Sequence, residues 1–322
     1  MFIGVDHGTR AIRFASSGIR RLELPRGEAG RLSAESIIKL IEDTLGPGEV
    51  ELVAITYSMG DGLTRITGIQ DVMNRGLLQQ DGAGLHVGGG TRVYDALRGT
   101  GWPAVLLPGI HRGSKIDPRM KVFSHGASPE KVGLAYQVFK KGEKSFVISD
   151  ASANTVTLGV LEGRVVGALD APICAPGMLH GPLDVEAIRA VDAGQITANR
   201  AFTYGGILRK MGFDSMEKCP ADVWKRALES LALFTAMEVS AMLVLMRDLG
   251  ESQPAIYIAG SLSSEIVDRV SRLLDRPALP LGNFAAAEGC ARIARDVYEG
   301  EDCILGLEVD RRVRADLARR AI

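Results

Sequence analysis

The chain begins with MFIGVDHGTRAIRFA (residues 1–15), an apolar run, a polar turn and a second apolar run. The first run is typical of a buried strand ending in the carboxylate of Asp6, and the second follows so closely that the two form a β-hairpin. Gly8 and Thr9 offer turn N–H groups and a hydroxyl that can hold a phosphate, while Asp6 can hold Mg²⁺ through water. An ordinary hairpin whose Asp and Gly make the turn explains this stretch alone equally well.

The same pattern recurs near the middle of the chain. Residues 145–155 read SFVISDASANT, an apolar strand that ends in Asp150 and continues into a small polar turn. Both copies then run into a second strand, a glycine-containing turn and a third strand. Two such units predict two related halves that face each other across a cleft, a more specific signal than either turn alone.

Size and composition are those of an ordinary globular protein. The 322 residues favour two domains, and a net charge of −1 argues against a general nucleic-acid binder. Four scattered cysteines without a Cys-x-x-Cys pair suit buried thiols in a reducing compartment. The apolar stretch 231–246 is short for a membrane span and contains Glu238, and Met1 leads straight into the first strand. We therefore expect a cytoplasmic protein with no signal peptide, no membrane and no nucleic-acid partner.

Two further stretches carry polar groups suited to anions. GGGTR (residues 88–92) precedes a helix and can bind an anion at the helix N-terminus, with a hinge or tight turn as the alternative. His125 ends a predicted strand, residues 122–125, beside a helix that begins near Ser128. There a neutral imidazole can donate to developing negative charge, with a capping histidine as the alternative.

Local signals predict most of the remaining elements. Ser33 is a typical N-cap for a helix over residues 34–45. A buried strand, residues 255–259, runs into Gly260 and Ser261, where the flat face of a nucleoside can approach the backbone or a simple strand-to-helix turn can form. Residues 63–85 are predicted as a long loop over the cleft. The Pro/Gly-rich stretch 171–184 is either functional or a rigid surface excursion.

With these motifs together, the chain resembles members of the superfamily of acetate kinases, sugar kinases, Hsp70 and actin. Asp6-x-Gly8-Thr9 resembles its first phosphate motif, Asp150-x-Ser152-x-Asn154-Thr155 its second, and Ala259-Gly260-Ser261 its adenosine motif. Within the superfamily, residues 89–93 and 123–126 resemble the glycine-rich and histidine motifs of acetate and butyrate kinases. The opening stretch further resembles the archaeal methanogenesis marker protein 12 family.

The resemblance implies an α/β fold of two related ribonuclease H-like (actin-like ATPase) domains. Each would be a mixed sheet flanked by helices, with a nucleotide cleft between the domains. It places an N-terminal domain at residues 1–120, a C-terminal domain at 121–302, and a final segment, 303–322, that packs back on the N-terminal domain. Acyl kinases of this kind pair through the second domain, and the apolar stretch 231–246 permits a homodimer here.

The resemblance also implies a phosphotransferase or ATPase that uses Mg-ATP. The γ-phosphoryl group would pass to an unknown acceptor, for which a small carboxylate is one candidate. The predicted catalytic residues are Asp6, Asp150 and His125, and the two aspartates hold Mg²⁺ through water. The predicted nucleotide-binding residues are Gly8, Thr9, Arg10, Arg13, Ser152, Asn154, Thr155, Gly260 and Ser261.

The chain departs from the acyl-kinase pattern at several positions. The second phosphate motif has no glycine, and Pro108 stands where an aspartate is expected. Residues 58–60 and 179–180, SMG and LH, replace the arginines that clamp the carboxylate. Substitutes could come from Arg65, Arg75 or Arg112. The departures favour an alternative function, a nucleotide-dependent assembly or regulatory factor for a methanogenesis enzyme, without small-molecule kinase activity. A degenerate scaffold that no longer binds nucleotide is a third reading.

Overall fold

The chain divides into two compact units. The computed structural model describes residues 1–18, 20–46, 48–56, 62–72, 88–215 and 218–320. Unit 1 consists of Met1–Glu143 and Phe284–Ile322, and unit 2 is Lys144–Asn283. The helices at 130–139 and 285–299 both belong to unit 1, where they pack on each other and on the first strand. The domain boundaries predicted at residues 120 and 302 stay predictions.

Each unit contains both strands and helices. The strands are β1 (Phe2–His7), β2 (Ala11–Ser16), β3 (Arg21–Pro25), β4 (Leu52–Ile55), β5 (Thr67–Gly68), β6 (Ala104–Leu106), β7 (Ile110–His111), β8 (His125–Ala127), β9 (Phe146–Ala151), β10 (Thr155–Leu161), β11 (Arg164–Leu169), β12 (Ala255–Ala259), β13 (Leu279–Pro280), β14 (Cys303–Ile304) and β15 (Leu307–Glu308). The helices are α1 (Arg26–Ala29), α2 (Ala34–Leu45), α3 (Gly89–Gly99), α4 (Glu130–Phe139), α5 (Val185–Asp192), α6 (Ala198–Tyr204), α7 (Ile207–Lys210), α8 (Ala221–Asp248), α9 (Ser263–Leu274), α10 (Ala285–Glu299) and α11 (Arg311–Arg320).

Unit 1 is built on a six-stranded mixed sheet of order β3-β2-β1-β4-β6-β5. The first three strands form antiparallel hairpins, and β4 and β6 continue parallel to β1. Ile3 and Val5 on β1 have no exposed surface, as expected for a central strand with both faces covered. Gly4 allows α10 to approach closely, since a Cβ at this position would lie 2.0 Å from the Ala287 carbonyl oxygen.

Unit 2 repeats this arrangement in a sheet of order β11-β10-β9-β12-β13. Again three antiparallel strands lead into strands parallel to the first. Among the described helices, α8 passes the length and apolarity test for a membrane span. However, its residues Leu231, Val239 and Met242 are buried in the core that includes Val147 of β9. The helix therefore serves as a core element of unit 2.

Apart from the antiparallel edge strand β5, both sheets share one topology, in which the third, second and first strands are followed by two strands parallel to the first. The prediction of an α/β fold with two related ribonuclease H-like domains, each a mixed sheet flanked by helices, is confirmed. Within each unit, the first strand ends at the carboxyl edge shared by its parallel neighbours, which is where ligands bind in open α/β sheets. Asp6 lies near this end of β1, and Asp150 near this end of β9.

Two local predictions are wrong. Residues 118–122 form a 3₁₀ helix, which Pro118 begins and the side chain of Asp117 caps. The predicted strand at 122–125 is therefore displaced to β8, which pairs with β7 instead of joining the main sheet. Within the predicted loop at 63–85, Thr67–Gly68 pairs with β6 as an edge strand. Residues 73–85, with Arg75, and the SMG stretch 58–60 lie outside the described residues.

Candidate functional site

A row of charges crosses unit 1 at the end of β1. Asp6 is 5% exposed, and its Oδ2 lies 3.8 Å from a guanidinium nitrogen of Arg13 on β2. Arg13 in turn donates from Nε to Oε2 of Glu23 on β3 at 2.7 Å. The strand register places these residues side by side, as cross-strand pairs. Arg13, a predicted phosphate contact, is thus held between two carboxylates.

The turn after Asp6 is braced by an arginine that the sequence analysis missed. Arg26 donates from Nε to the Gly8 carbonyl oxygen at 2.9 Å and from a terminal nitrogen to that of His7 at 3.3 Å. A Cβ on Gly8 would lie 2.9 Å from the Ala11 carbonyl oxygen, so the tight turn requires glycine. Thr9 and Arg10 are exposed at the tip. No signal in the sequence links Arg26 to a turn eighteen residues earlier.

His7 is a buried neutral group beneath this turn. Burial and the nearby Arg26 charge lower the pKa of His7 to about 3, with a hydrogen bond to the Gly90 backbone acting in the opposite direction. Its backbone N–H donates to the Thr56 hydroxyl at 2.9 Å. Within the glycine triple, Gly89 serves close packing, because a Cβ there would lie 2.2 Å from the Arg26 carbonyl oxygen.

A second acidic group lies in the same part of unit 1. Glu130 begins α4, and the Lys131 ammonium lies 3.0 Å from its Oε1. Burial alone raises the pKa of Glu130, but the Lys131 charge and the Ser128 hydroxyl outweigh it, and the pKa is lowered. Burial first, then the charges of Asp6 and Glu130, raise the pKa of the Cys290 thiol, so both carboxylates lie near this buried cysteine. The sequence analysis placed a helix start near Ser128 and gave no role to Glu130.

His125 lies at the carboxyl edge of the unit 1 sheet. It opens β8, and its Nε2 would be 3.6 Å from a Cβ on Gly109, three residues after the end of β6. Because β6 runs parallel to β4, and β4 to β1, His125 and Asp6 lie on the same edge of this sheet. The predicted catalytic role of His125 stays a prediction.

In unit 2, the structure brings Asp150 and Gly260 together. Asp150 and Ala259 are register partners on the parallel strands β9 and β12, so the turn after β12 passes beside the carboxylate. Gly260 has a φ of 95°, and a Cβ there would lie 2.5 Å from Asp150 Oδ1. Only glycine fits this position without strain. Ser261 follows, exposed at the start of α9.

The turn after Asp150 is bound by the Pro/Gly-rich stretch. Backbone N–H groups of Met178 and His180 donate to the carbonyl oxygens of Ser152 and Ala153, at 2.8 and 2.9 Å. The Asn154 side-chain oxygen lies 2.6 Å from His180 Nδ1. The Pro/Gly-rich stretch therefore forms several hydrogen bonds with the second predicted phosphate motif.

Thr155 also binds the Pro/Gly-rich stretch. Its hydroxyl donates to the Pro176 carbonyl oxygen at 3.1 Å, and the residue has no exposed surface. Burial and the Arg209 charge lower the pKa of His180, which favours its neutral form. The nucleotide contacts predicted for Ser152, Asn154 and Thr155 stay predictions, and the observed contacts of these residues are to the loop.

Two of the three predicted substitutes for the missing arginines, Arg65 and Arg112, lie in the described part of the chain and bind other groups. Arg65 lies 3.2 Å from Glu308, which also pairs with Lys115. Arg112 donates to the carbonyl oxygens of Lys121 and Val122.

The donor groups fit a nucleotide-bound Mg²⁺ better than a metal held by protein alone. Asp6 and Asp150 supply hard carboxylate oxygens, which Mg²⁺ prefers, often through water. Within the described ranges, no three His, Cys, Asp or Glu side chains come together as a metal site. A metal at either turn would therefore need water and phosphate oxygens to complete its coordination.

The fold and these turns define a class, two-domain α/β proteins of duplicated ribonuclease H-like units with a carboxylate-bearing turn in each. Within it, the chain belongs to the UPF0285 family. It is 47% identical over 322 residues to the UPF0285 protein of Methanosarcina acetivorans, covering 96% of this chain and 99% of that protein. It is 38% identical over 327 residues to the UPF0285 protein of Methanocaldococcus jannaschii, covering 96% of this chain and 98% of that protein. No protein-family model matches the chain.

Solved structures are similar at low sequence identity. Acetate kinase from Entamoeba histolytica is 10% identical, with 84% of each chain covered and a TM-score of 0.49. A ROK family glucokinase from Streptomyces griseus, in complex with glucose and AMPPNP, is 14% identical over 92% of this chain and 99% of that chain, with a TM-score of 0.47. The activator of 2-hydroxyisocaproyl-CoA dehydratase from Clostridium difficile, with bound ADPNP, is 13% identical over 92% and 95%, also at 0.47. The assignment of the fold rests on the strand order of the two sheets.

Proposed function

We propose that this protein binds Mg-ATP and acts on its γ-phosphoryl group as a phosphotransferase or ATPase. One observation carries the proposal. In both sheets, three antiparallel strands lead into two strands parallel to the first, and that first strand carries an aspartate one residue before its end, ahead of a turn of small or polar residues. Phosphoryl transfer needs mainly positioning and charge neutralisation, which such turns and a metal ion supply.

Each turn has a role in the proposal. When bound, Mg²⁺ neutralises charge on the phosphates and orients them. Asp6 and Asp150 hold it through water, and His125 donates to charge on the transferred group. The remaining contacts to the phosphates and adenosine come from Gly8, Thr9, Arg10, Arg13, Ser152, Asn154, Thr155, Gly260 and Ser261.

Asp150 provides the direct test. Purified protein should be stabilised by Mg-ATP, by about 2.7 kcal/mol at a hundredfold excess over Kd, and should turn ATP over. Asp150→Asn keeps the shape and removes the charge, so turnover should fall by about a hundredfold. Asp192→Asn, an exposed aspartate on α5, is the matched control and should behave as wild type. Unchanged turnover in Asp150→Asn would rule the assignment out.

The alternative function is a nucleotide-dependent assembly or regulatory factor. The engagement of Arg65 and Arg112 in other contacts supports it, because neither supplies a clamp for a carboxylate substrate. Relatives in Methanosarcina and Methanocaldococcus, together with the resemblance to methanogenesis marker protein 12, support a partner in methane metabolism.

Product analysis separates the two functions. The protein is incubated with Mg-ATP and a panel of short carboxylates, and acyl phosphate is trapped with hydroxylamine. Acyl phosphate formation supports the kinase. Slow ATP hydrolysis that no carboxylate accelerates supports the regulatory factor.

A further inference from the structure

A cavity of about 260 Å³ in unit 1 is bounded by the end of β2 and by the helices α4 and α10. Six of its seven lining residues are polar. They are Ser16, Ser17, Gln137, Glu288, Arg292 and Arg295. Polar side chains around an opening of this size can hold water or a polar ligand.

Among the charged side chains that line this cavity, the one without a partner in the described chain carries a positive charge. Glu288 accepts hydrogen bonds from Arg21 and from Gln137 Nε2, the latter at 3.0 Å. Arg295 pairs with Asp296 at 3.2 Å. Arg292 is half-buried and makes no hydrogen bond or ion pair with any residue that the structure describes. A half-buried guanidinium without a carboxylate is suited to bind an anion.

A second observation concerns Gln137. The residue is 6% exposed, and its Oε1 accepts no hydrogen bond within the described chain. Buried amide oxygens are nearly always paired, and an unpaired one costs free energy. The site therefore has a guanidinium and two serine hydroxyls that can donate, together with one acceptor that needs a donor.

We propose that this cavity binds a phosphoryl group, either as inorganic phosphate or as the head of a phosphomonoester. Arg292 pairs with two phosphate oxygens in the fork geometry of a guanidinium. The hydroxyls of Ser16 and Ser17 donate to the phosphate oxygens, and a protonated phosphate oxygen donates to Gln137 Oε1. This site is separate from the proposed nucleotide contacts and does not depend on them.

Calorimetric titration of the full chain at constant ionic strength tests the proposal with three probes. Inorganic phosphate should bind saturably. Sulfate, which carries no proton at neutral pH, should bind about tenfold more weakly because it cannot donate to Gln137. Glycerol phosphate identifies the source, since tighter binding than inorganic phosphate indicates a phosphomonoester and exclusion indicates free phosphate.

Variants locate the bound phosphate. Arg292→Gln should weaken phosphate binding about tenfold or more, and Arg292→Lys should give an intermediate loss. Arg272→Gln on the exposed face of α9 is the matched control and should bind as wild type. Thermal unfolding of each variant checks that it folds. Wild-type affinity in Arg292→Gln, or no saturable binding to wild type, would overturn the proposal.

A further pair of variants separates this site from the nucleotide turn. Thr9→Val should leave phosphate affinity unchanged, and Arg292→Gln should leave the thermal shift with Mg-ATP unchanged. Loss of phosphate binding in Thr9→Val would assign the phosphate to the first turn and contradict the proposal.

Discussion

At the scale of single residues, Gly260 combines two constraints that can be measured separately. Its φ of 95° is strained for any L side chain, and a Cβ would also meet Asp150 Oδ1 and the Ala151 carbonyl oxygen, both at 2.5 Å. We expect Gly260→Ala to lower the free energy of unfolding by about 3 kcal/mol, from backbone strain and overpacking together. Urea unfolding of the variant and the wild type measures this loss of stability.

Gly250 supplies the control for the backbone term. It has the same φ of 95° at the end of α8, but a Cβ there would meet nothing within 4 Å. Gly250→Ala should therefore cost only about 1 kcal/mol. Equal losses in the two variants would show that the contact with Asp150 contributes nothing.

Glu238 is a buried carboxyl group in the core of unit 2. It has no exposed surface on α8, and its Oε2 accepts a hydrogen bond from the Ala175 backbone at 2.7 Å. Burial raises its pKa to about 7, although hydrogen bonds from Thr157, Ala175 and Cys174 act in the opposite direction. The sequence showed an acidic residue in an apolar helix, but its contact with the Pro/Gly-rich stretch spans 63 residues.

The pH dependence of stability follows from this pKa. Because the folded pKa lies above the unfolded one, the contribution to stability is fully present below about pH 4.5 and is lost as the pH rises through 7. Glu238→Gln keeps the shape without the charge. It should raise the free energy of unfolding at pH 8 by on the order of 2 kcal/mol and change it little at pH 5.

Urea unfolding at both pH values measures this difference. Glu229→Gln on the same helix is the control, since Glu229 forms a surface pair with Arg269 worth at most about 1 kcal/mol. A Glu238→Gln variant whose stability falls with pH as steeply as wild type would contradict the assignment.

At the scale of elements, the crossing of α4 and α10 depends on glycine. A Cβ on Gly289 would lie 1.8 Å from the Gly133 carbonyl oxygen, and one on Gly133 would lie 2.7 Å from Cys290 Sγ. Alanine is favoured over glycine within a helix by about 1 kcal/mol, but the overpacking at this contact is larger. We expect Gly289→Ala to destabilise the protein by about 3 kcal/mol, measured by thermal and urea unfolding.

Gly99 at the end of α3 is the matched helical control. Nothing lies within 4 Å of a Cβ there. Gly99→Ala should be neutral or stabilising by about 0.5 kcal/mol. If Gly289→Ala were as stable as Gly99→Ala, the close approach of α4 and α10 would contribute nothing to the free energy of unfolding.

The sequence predicts those elements whose signals are local. The N-cap at Ser33 predicts a helix over 34–45, and the structure has α2 at Ala34–Leu45 with the Ser33 hydroxyl accepting from Ser36 N–H. The ends of two predicted strands single out Asp150 and Gly260 separately, and the parallel register of β9 and β12 then places the two residues side by side. The strand predicted at 122–125 fails because Asp117 and Pro118 start a 3₁₀ helix instead.

Contacts between distant residues explain what the sequence could not predict. Arg26 holds the Gly8 turn through side-chain bonds to backbone oxygens, which no spacing rule encodes. Asn154 and Thr155 have the right types for phosphate contacts, but the same groups also suit the loop contacts that the structure assigns to them. Residue type limits the chemistry of a site, and tertiary packing decides which partner each group meets.

At the scale of the whole molecule, α8 offers a surface for the predicted homodimer. Leu233, Met237 and Val244 are 45%, 57% and 62% exposed and follow one face of this helix. Exposed apolar stripes of this kind are typical of protein interfaces. We expect Met237→Asp to convert a dimer to a monomer, measured by light scattering after size exclusion.

Val122 provides the control for this prediction. It is 70% exposed in unit 1, far along the chain from α8. Val122→Asp adds the same charge to another exposed apolar position and should leave the molecular mass unchanged. A monomeric wild type would exclude the homodimer, and a dimer that survives Met237→Asp would place the interface elsewhere.

The composition of unit 1 from both chain ends has a consequence for biosynthesis. Unit 2 is one continuous segment, whereas β1 is packed against α10, which the ribosome makes some 280 residues later. Domains generally fold as units while the chain emerges. A nascent chain stopped before Phe284 would therefore contain all of unit 2 but would lack the helix that packs on β1 of unit 1. We expect unit 2 to complete its folding during synthesis before unit 1 does.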